Sequence, residues 1–179
     1  ADNTYVGANA GPNANTSTGS NNTGVGSVAL TSATTGADNT AVGAESLEQV
    51  TTGNYNTAVG YRAADTVTTG TYNVAMGRRA LDSVTTNSYN IAIGSSALES
   101  YTGAGNTAVG HQALTANTTG DANVAVGYNA GVSITTGANS IAIGYRALDG
   151  TTTANDNIAI GLDTLGGSNT SANNVAIGN

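Results

Sequence analysis

Lysine, cysteine, tryptophan and phenylalanine are missing from this chain of 179 residues, and histidine and proline each occur once. Without cysteine there are neither disulfides nor thiolate metal sites. The lone His111 offers no His–metal spacing and no Ser–His–Asp set, which an enzymatic site would need, so it reads as a surface loop residue. Four arginines stand against eleven acids, for a net charge of −7. That balance lacks the basic footprint a nucleic-acid partner requires. No apolar run approaches the length that spans a membrane. The glycines are too widely spaced for a phosphate-binding loop. Composition therefore points to a chain without enzymatic activity and without a cofactor. A chain that opens at Ala1, with no initiator methionine and no signal peptide, reads as a processed, secreted chain or an excised fragment.

What the chain has is repetition. Asn-Thr-Ala-Val-Gly stands in full at 39–43, 56–60 and 106–110, and variants fill the rest. The glycines that close the motif are Gly7, Gly26, Gly43, Gly60, Gly77, Gly94, Gly110, Gly127, Gly144, Gly161 and Gly178, mostly 17 residues apart, with one spacing of 19 and one of 16. A short period over a whole chain marks a solenoid, each repeat one coil stacked on the last. No unrepeated stretch could form a second domain, so residues 1–179 read as a single one. The expected fold is all-β, a parallel β-solenoid of eleven coils.

Before each glycine runs Thr, Val or Ile, then Ala in nine of eleven coils (Tyr5 and Gly24 are the exceptions), then Val, Ile or Met. This is strand chemistry, and glycine and asparagine recur too often for a helix. Alternation places the first and third of these residues on one face and the Ala on the other. With both faces apolar or small, the strand is expected to be buried on both. On this reading the β-branched residues fill the coil. The Ala column, with Ala58, Ala75, Ala92 and Ala108 at its centre, then forms either a lateral interface to another copy or a tight interior corner. Four residues before the glycine comes Asn in ten of eleven coils, Ser140 being the exception. Asn39, Asn56, Asn73, Asn90, Asn106 and Asn123 would stack about 4.8 Å apart and bond as an amide ladder. Four residues after the glycine, Leu30, Leu47, Leu81, Leu98, Leu114, Leu148 and Leu165 form a second core rank, expected on a second short strand. A Thr-Thr-Gly bend, as at 51–53, closes the coil, its glycine supplying the turn conformation.

Three surface patterns remain. Glu48, Asp65, Asp82, Glu99 and Asp149 recur five residues after the glycine and would repel one another when stacked. Arg62, Arg79 and Arg146 each stand three residues before such an acid and are expected to neutralise the column. The alternative is Ca²⁺, which needs more oxygens than one column supplies. Tyr55, Tyr72 and Tyr89 would stack on one edge, either stiffening the rod or offering a strip to sugars or a partner. Threonine pairs raise ice binding, but adjacent threonines on a strand point to opposite faces, so no flat array forms. Glycosylation sequons occur at Asn15, Asn21, Asn117 and Asn169, in a chain so rich in Asn and Thr that they can arise by accident.

The Asn-Thr-Ala-Val-Gly and Asn-Ile-Ala-Ile-Gly units, the latter at 90–94 and 157–161, resemble the head repeats of YadA-like trimeric autotransporter adhesins. Similar repeats occur in phage tail fibres and other bacterial surface fibres. The resemblance covers nearly the whole chain. It implies a left-handed parallel β-roll, assembled as a trimer, outside the cell. The expected function is a structural subunit of an extracellular fibre that serves adhesion or attachment, with itself as partner and a surface glycan or matrix as a further one. A trimeric adhesin segment and an ice- or carbohydrate-binding solenoid are the alternatives. End-to-end assembly would bring Asn174, Val175 and Ile177 of one copy onto Tyr5 of the next, with Gly24 making room for the Tyr5 ring.

Overall fold

The computed structural model describes residues 2–12, 17–100, 102–150, 153–167 and 170–178. Eleven three-residue strands are its regular elements: β1 (Thr4–Val6), β2 (Thr23–Val25), β3 (Thr40–Val42), β4 (Thr57–Val59), β5 (Val74–Met76), β6 (Ile91–Ile93), β7 (Thr107–Val109), β8 (Val124–Val126), β9 (Ile141–Ile143), β10 (Ile158–Ile160) and β11 (Val175–Ile177). They pair in parallel, in chain order, as one sheet. The chain is a β-solenoid with one strand per coil. Like residues lie beside like: Ala58 pairs with Ala75 and Val59 with Met76. The irregular spacings are absorbed outside the strands, since Ala92 still meets Ala108 and Tyr5 meets Gly24. No helix among the described residues is long and apolar enough to cross a membrane.

The strands are buried on one face only, and it is the Ala face. Ala41, Ala58, Ala75, Ala92, Ala108, Ala125, Ala142 and Ala159 are buried inside the chain's own coils. The β-branched residues on either side of them turn outward and remain partly exposed. The expected orientation, with Val and Ile filling the coil and the Ala column facing out, is thus reversed, and among the described residues nothing within the chain covers the outward face. Ala58, Ala75, Ala92 and Ala108 are not a lateral surface. Leu47, Leu81 and Leu98 already fill the coil opposite them, and the gap left at the strand is one methyl deep.

Nor do those leucines lie on a second strand. They sit in a turn with left-handed backbone, at φ between 46° and 57° from Leu30 to Leu165. Two residues upstream, Arg62 (φ 54°) and Arg79 (φ 55°) share that conformation. A side chain there costs about 1–2 kcal/mol. The compensation is visible in where the N–H groups go. Arg62 donates back to the Ala44 carbonyl of the preceding coil at 3.0 Å, and Leu47 donates forward to Ala63 of the following coil at 3.0 Å. The left-handed residues turn their donors along the stack, so bends as well as strands bond from coil to coil. A third apolar rank, Val50, Val67, Val84 and Ile134, lies buried seven residues after the glycine.

The asparagines line the interior as a ladder. The Asn56 backbone N–H and side-chain amide both donate to Asn39 Oδ1, at 2.9 and 3.1 Å, and the same amide donates to the Gly70 carbonyl at 2.8 Å. Asn73 and Asn90 repeat the pattern. Asn106 and Asn123 continue the backbone-to-Oδ1 step. The closing glycines have a φ that side chains rarely adopt, 134° at Gly60, where a Cβ would also lie 2.6 Å from the Gly77 carbonyl oxygen. Gly53 in the Thr-Thr-Gly bend has no such φ. Glycine is required there by proximity rather than by turn conformation, because a Cβ would lie 2.4 Å from the Gly70 oxygen.

Candidate functional site

Each arginine of the charged column pairs with the acid three residues on. Arg62 donates from Nε and Nη2 to Asp65 Oδ2 at 3.1 and 2.8 Å. Arg79 Nε donates to Asp82 Oδ2 at 2.9 Å, and Arg146 Nε to Asp149 Oδ2 at 2.7 Å. The guanidinium groups also reach between coils: Arg79 Nη1 lies 2.5 Å from Glu99 Oε1, and Arg62 Nη2 lies 3.7 Å from Asp82 Oδ1. Asp65 and Asp82 are buried. Burial pushes the Asp82 carboxyl above its ordinary value despite the opposing pull of Arg79 and Arg62. Arg62 and Arg146 are held above the usual arginine value, chiefly by their bonds to Asp65 and Asp149. The arginines neutralise the column within the chain, as far as they extend along it.

Tyr55, Tyr72 and Tyr89 stack, with ring centroids 4.8 and 5.4 Å apart and planes within 12° and 4° of parallel. Both faces of Tyr72 are covered by its neighbours, so the exposed half of that side chain is ring edge and phenol. A second ladder was not legible as one. His111, Tyr128 and Tyr145 stack at 5.1 and 5.3 Å. Its signal was a shared position one residue after the glycine.

Tyr5 turns its ring into the first coil. A Cβ at Gly24 would lie 2.9 Å from that ring, and one at Gly11 2.5 Å. Gly24 therefore does make room for Tyr5, whose phenol is held above its ordinary value by burial. At the far end Asn174 bonds back to Asn157, while Val175 and Ile177 are 67% and 73% exposed. The first threonine of each bend spends its hydroxyl on the next coil: Thr51 Oγ1 donates to the Thr68 carbonyl and Thr68 Oγ1 to that of Thr85. Of the sequons, Asn117 is fully buried and bonded through its side chain to Gly120, and Asn21 is exposed and bonds Asp38. Asn15 and Asn169 lie outside the described residues.

The outward face of the sheet is a further organised surface. One column runs through Val25, Val42, Val59, Met76, Ile93, Val109, Val126, Ile143 and Ile160. Its companion is threonine at Thr23, Thr40, Thr57 and Thr107 and apolar at Val74, Ile91, Val124, Ile141 and Ile158. Neither column holds a charged residue. No protein-family model matches this chain, and neither a curated protein nor a solved structure matches it.

Proposed function

We propose that the chain is a non-enzymatic structural subunit of an extracellular fibre, a rod that associates with copies of itself along the outward face of its sheet and serves surface attachment. The observation that carries this reading is the pair of uncharged, partly exposed columns running from coil to coil, one of Val, Ile and Met throughout and the other of Val and Ile with Thr at β1–β4 and β7. Apolar surface of that extent commonly marks an interaction site. The occupant that fits is a second copy, because it presents the same columns at the same coil spacing, and stacking in register lets side chains interdigitate along the whole rod. The resemblance to YadA-like adhesin heads supports the same reading. The phenol edges of Tyr55, Tyr72 and Tyr89 offer a strip to a glycan or matrix, a subordinate role on the same rod.

Sedimentation velocity at micromolar concentration tests it. The parent chain should sediment as an oligomer. Ile93→Glu and Ile143→Glu, both at outward positions, should yield monomers with an unchanged β circular-dichroism spectrum. A parent chain that is monomeric at all concentrations would refute self-association.

A further inference from the structure

The arginine row stops one coil short of the acids it serves. Two residues after the closing glycine stand Arg62 and Arg79, but in the coil before them the same position is Glu45. The effect falls on Asp65, which is 3% exposed. Its Oδ2 is held by Arg62 of its own coil, whereas its Oδ1 is buried with no hydrogen-bond donor. One coil later the corresponding Oδ1 of Asp82 also lacks a hydrogen-bond donor, but a guanidinium of the preceding coil stands beside it, with Arg62 Nη2 at 3.7 Å. By the equivalence of the coils, the cation that would answer Asp65 Oδ1 belongs at position 45, where the chain has Glu45, whose Oε2 lies 3.7 Å from Arg62 Nε. One oxygen each from Glu45, Glu48 and Asp65 lies within 4.8 Å of the others.

We propose that Glu45, Glu48 and Asp65 form a Ca²⁺ site that replaces the missing guanidinium. Three carboxylates against one arginine, which Asp82 shares, leave at least two negative charges for a divalent cation to balance. A Ca²⁺ ion takes oxygens at about 2.3–2.6 Å, so one ion spans ligands up to about 5 Å apart. The ligand set is oxygen only, which selects a hard cation. The acid column alone supplies too few oxygens, and Glu45 adds a second column to it. Glu45 and Glu48 are part exposed, so water can complete the shell.

The test is titration of the EDTA-stripped full chain with CaCl₂ alone, by calorimetry and by melting temperature. The calorimetric count of ions per chain holds whether or not the chain self-associates, and the melts are compared at one chain concentration. One saturable Ca²⁺ per chain and a raised melting temperature are expected. Glu45→Gln and Asp65→Asn should each weaken binding at least about tenfold, while Asp149→Asn, whose partner is Arg146, should leave it unchanged. Glu45→Arg completes the arginine row. It should abolish Ca²⁺ binding and melt above the parent in EDTA. Absence of saturable binding, or binding undiminished in both Glu45→Gln and Asp65→Asn, would overturn the site.

Discussion

Asn157 and Ser140 meet where the amide ladder breaks: the Asn157 backbone N–H donates to Ser140 Oγ at 3.3 Å, while the buried Asn157 Nδ2 has no acceptor. In intact steps one Oδ1 takes both donors, as Asn56 Oδ1 does from Asn73 at 3.0 and 3.1 Å. An unsatisfied buried donor costs more than an average bond contributes.

Ser140→Asn should therefore stabilise the chain by about 1 kcal/mol. Asn73→Ala should destabilise it by at least about 3 kcal/mol, since it strips acceptors and donors from two neighbouring coils. Equilibrium denaturation followed by circular dichroism measures both. A Ser140→Asn chain no more stable than its parent would show that the ladder contributes nothing there.

Glycine is required in the bends by the closeness of successive coils. Gly53→Ala should cost about 1–3 kcal/mol, the range for inserting a methyl where neighbours cannot yield, because the obstructing atom is a backbone oxygen 2.4 Å away. Gly167→Ala meets nothing within 4 Å and should leave thermal unfolding unchanged. Equal losses at the two sites would argue for backbone conformation rather than proximity.

The carboxyls of Glu48 and Asp82 are both raised, chiefly by burial. A raised acid binds its proton more tightly in the folded state. Its contribution to stability is full below the unfolded value of about 4 and is lost as pH rises through the folded value. In EDTA, Asp82→Asn should consequently be at least as stable as the parent at pH 7, and the difference should shrink on acidification towards pH 4. Melting curves that stay parallel across that window would contradict the assignment.

The solenoid itself was legible because its demands fall on the backbone and recur. Glycine where a coil's Cβ would strike the next and Asn where amides bond along the interior leave an unmistakable period. Which face turned inward was not legible. Larger apolar residues suggested the inside of the strand, yet from β3 to β10 the inward position is Ala, packed against the leucine rank. Leucine at φ near 50° ran against its own propensity, so its turn was read as a strand. Val50, Val67 and Val84 recur at a fixed distance from the glycine, a signal that was present but outweighed by the stronger motif. The gap in the arginine row is visible in sequence as Glu45, but its significance depends on which oxygens of Asp65 are occupied.

The bonds that leave left-handed residues such as Arg62 and Leu47 for adjacent coils also decide how the molecule bears load. The covalent chain winds around the rod, and the hydrogen bonds run along it. A lengthwise pull therefore falls on hydrogen bonds and other non-covalent contacts between coils, and the rod yields by unspooling one coil at a time. Each coil of 17 residues releases about 50–60 Å of extended chain, so the molecule absorbs work in repeated small steps rather than failing at once.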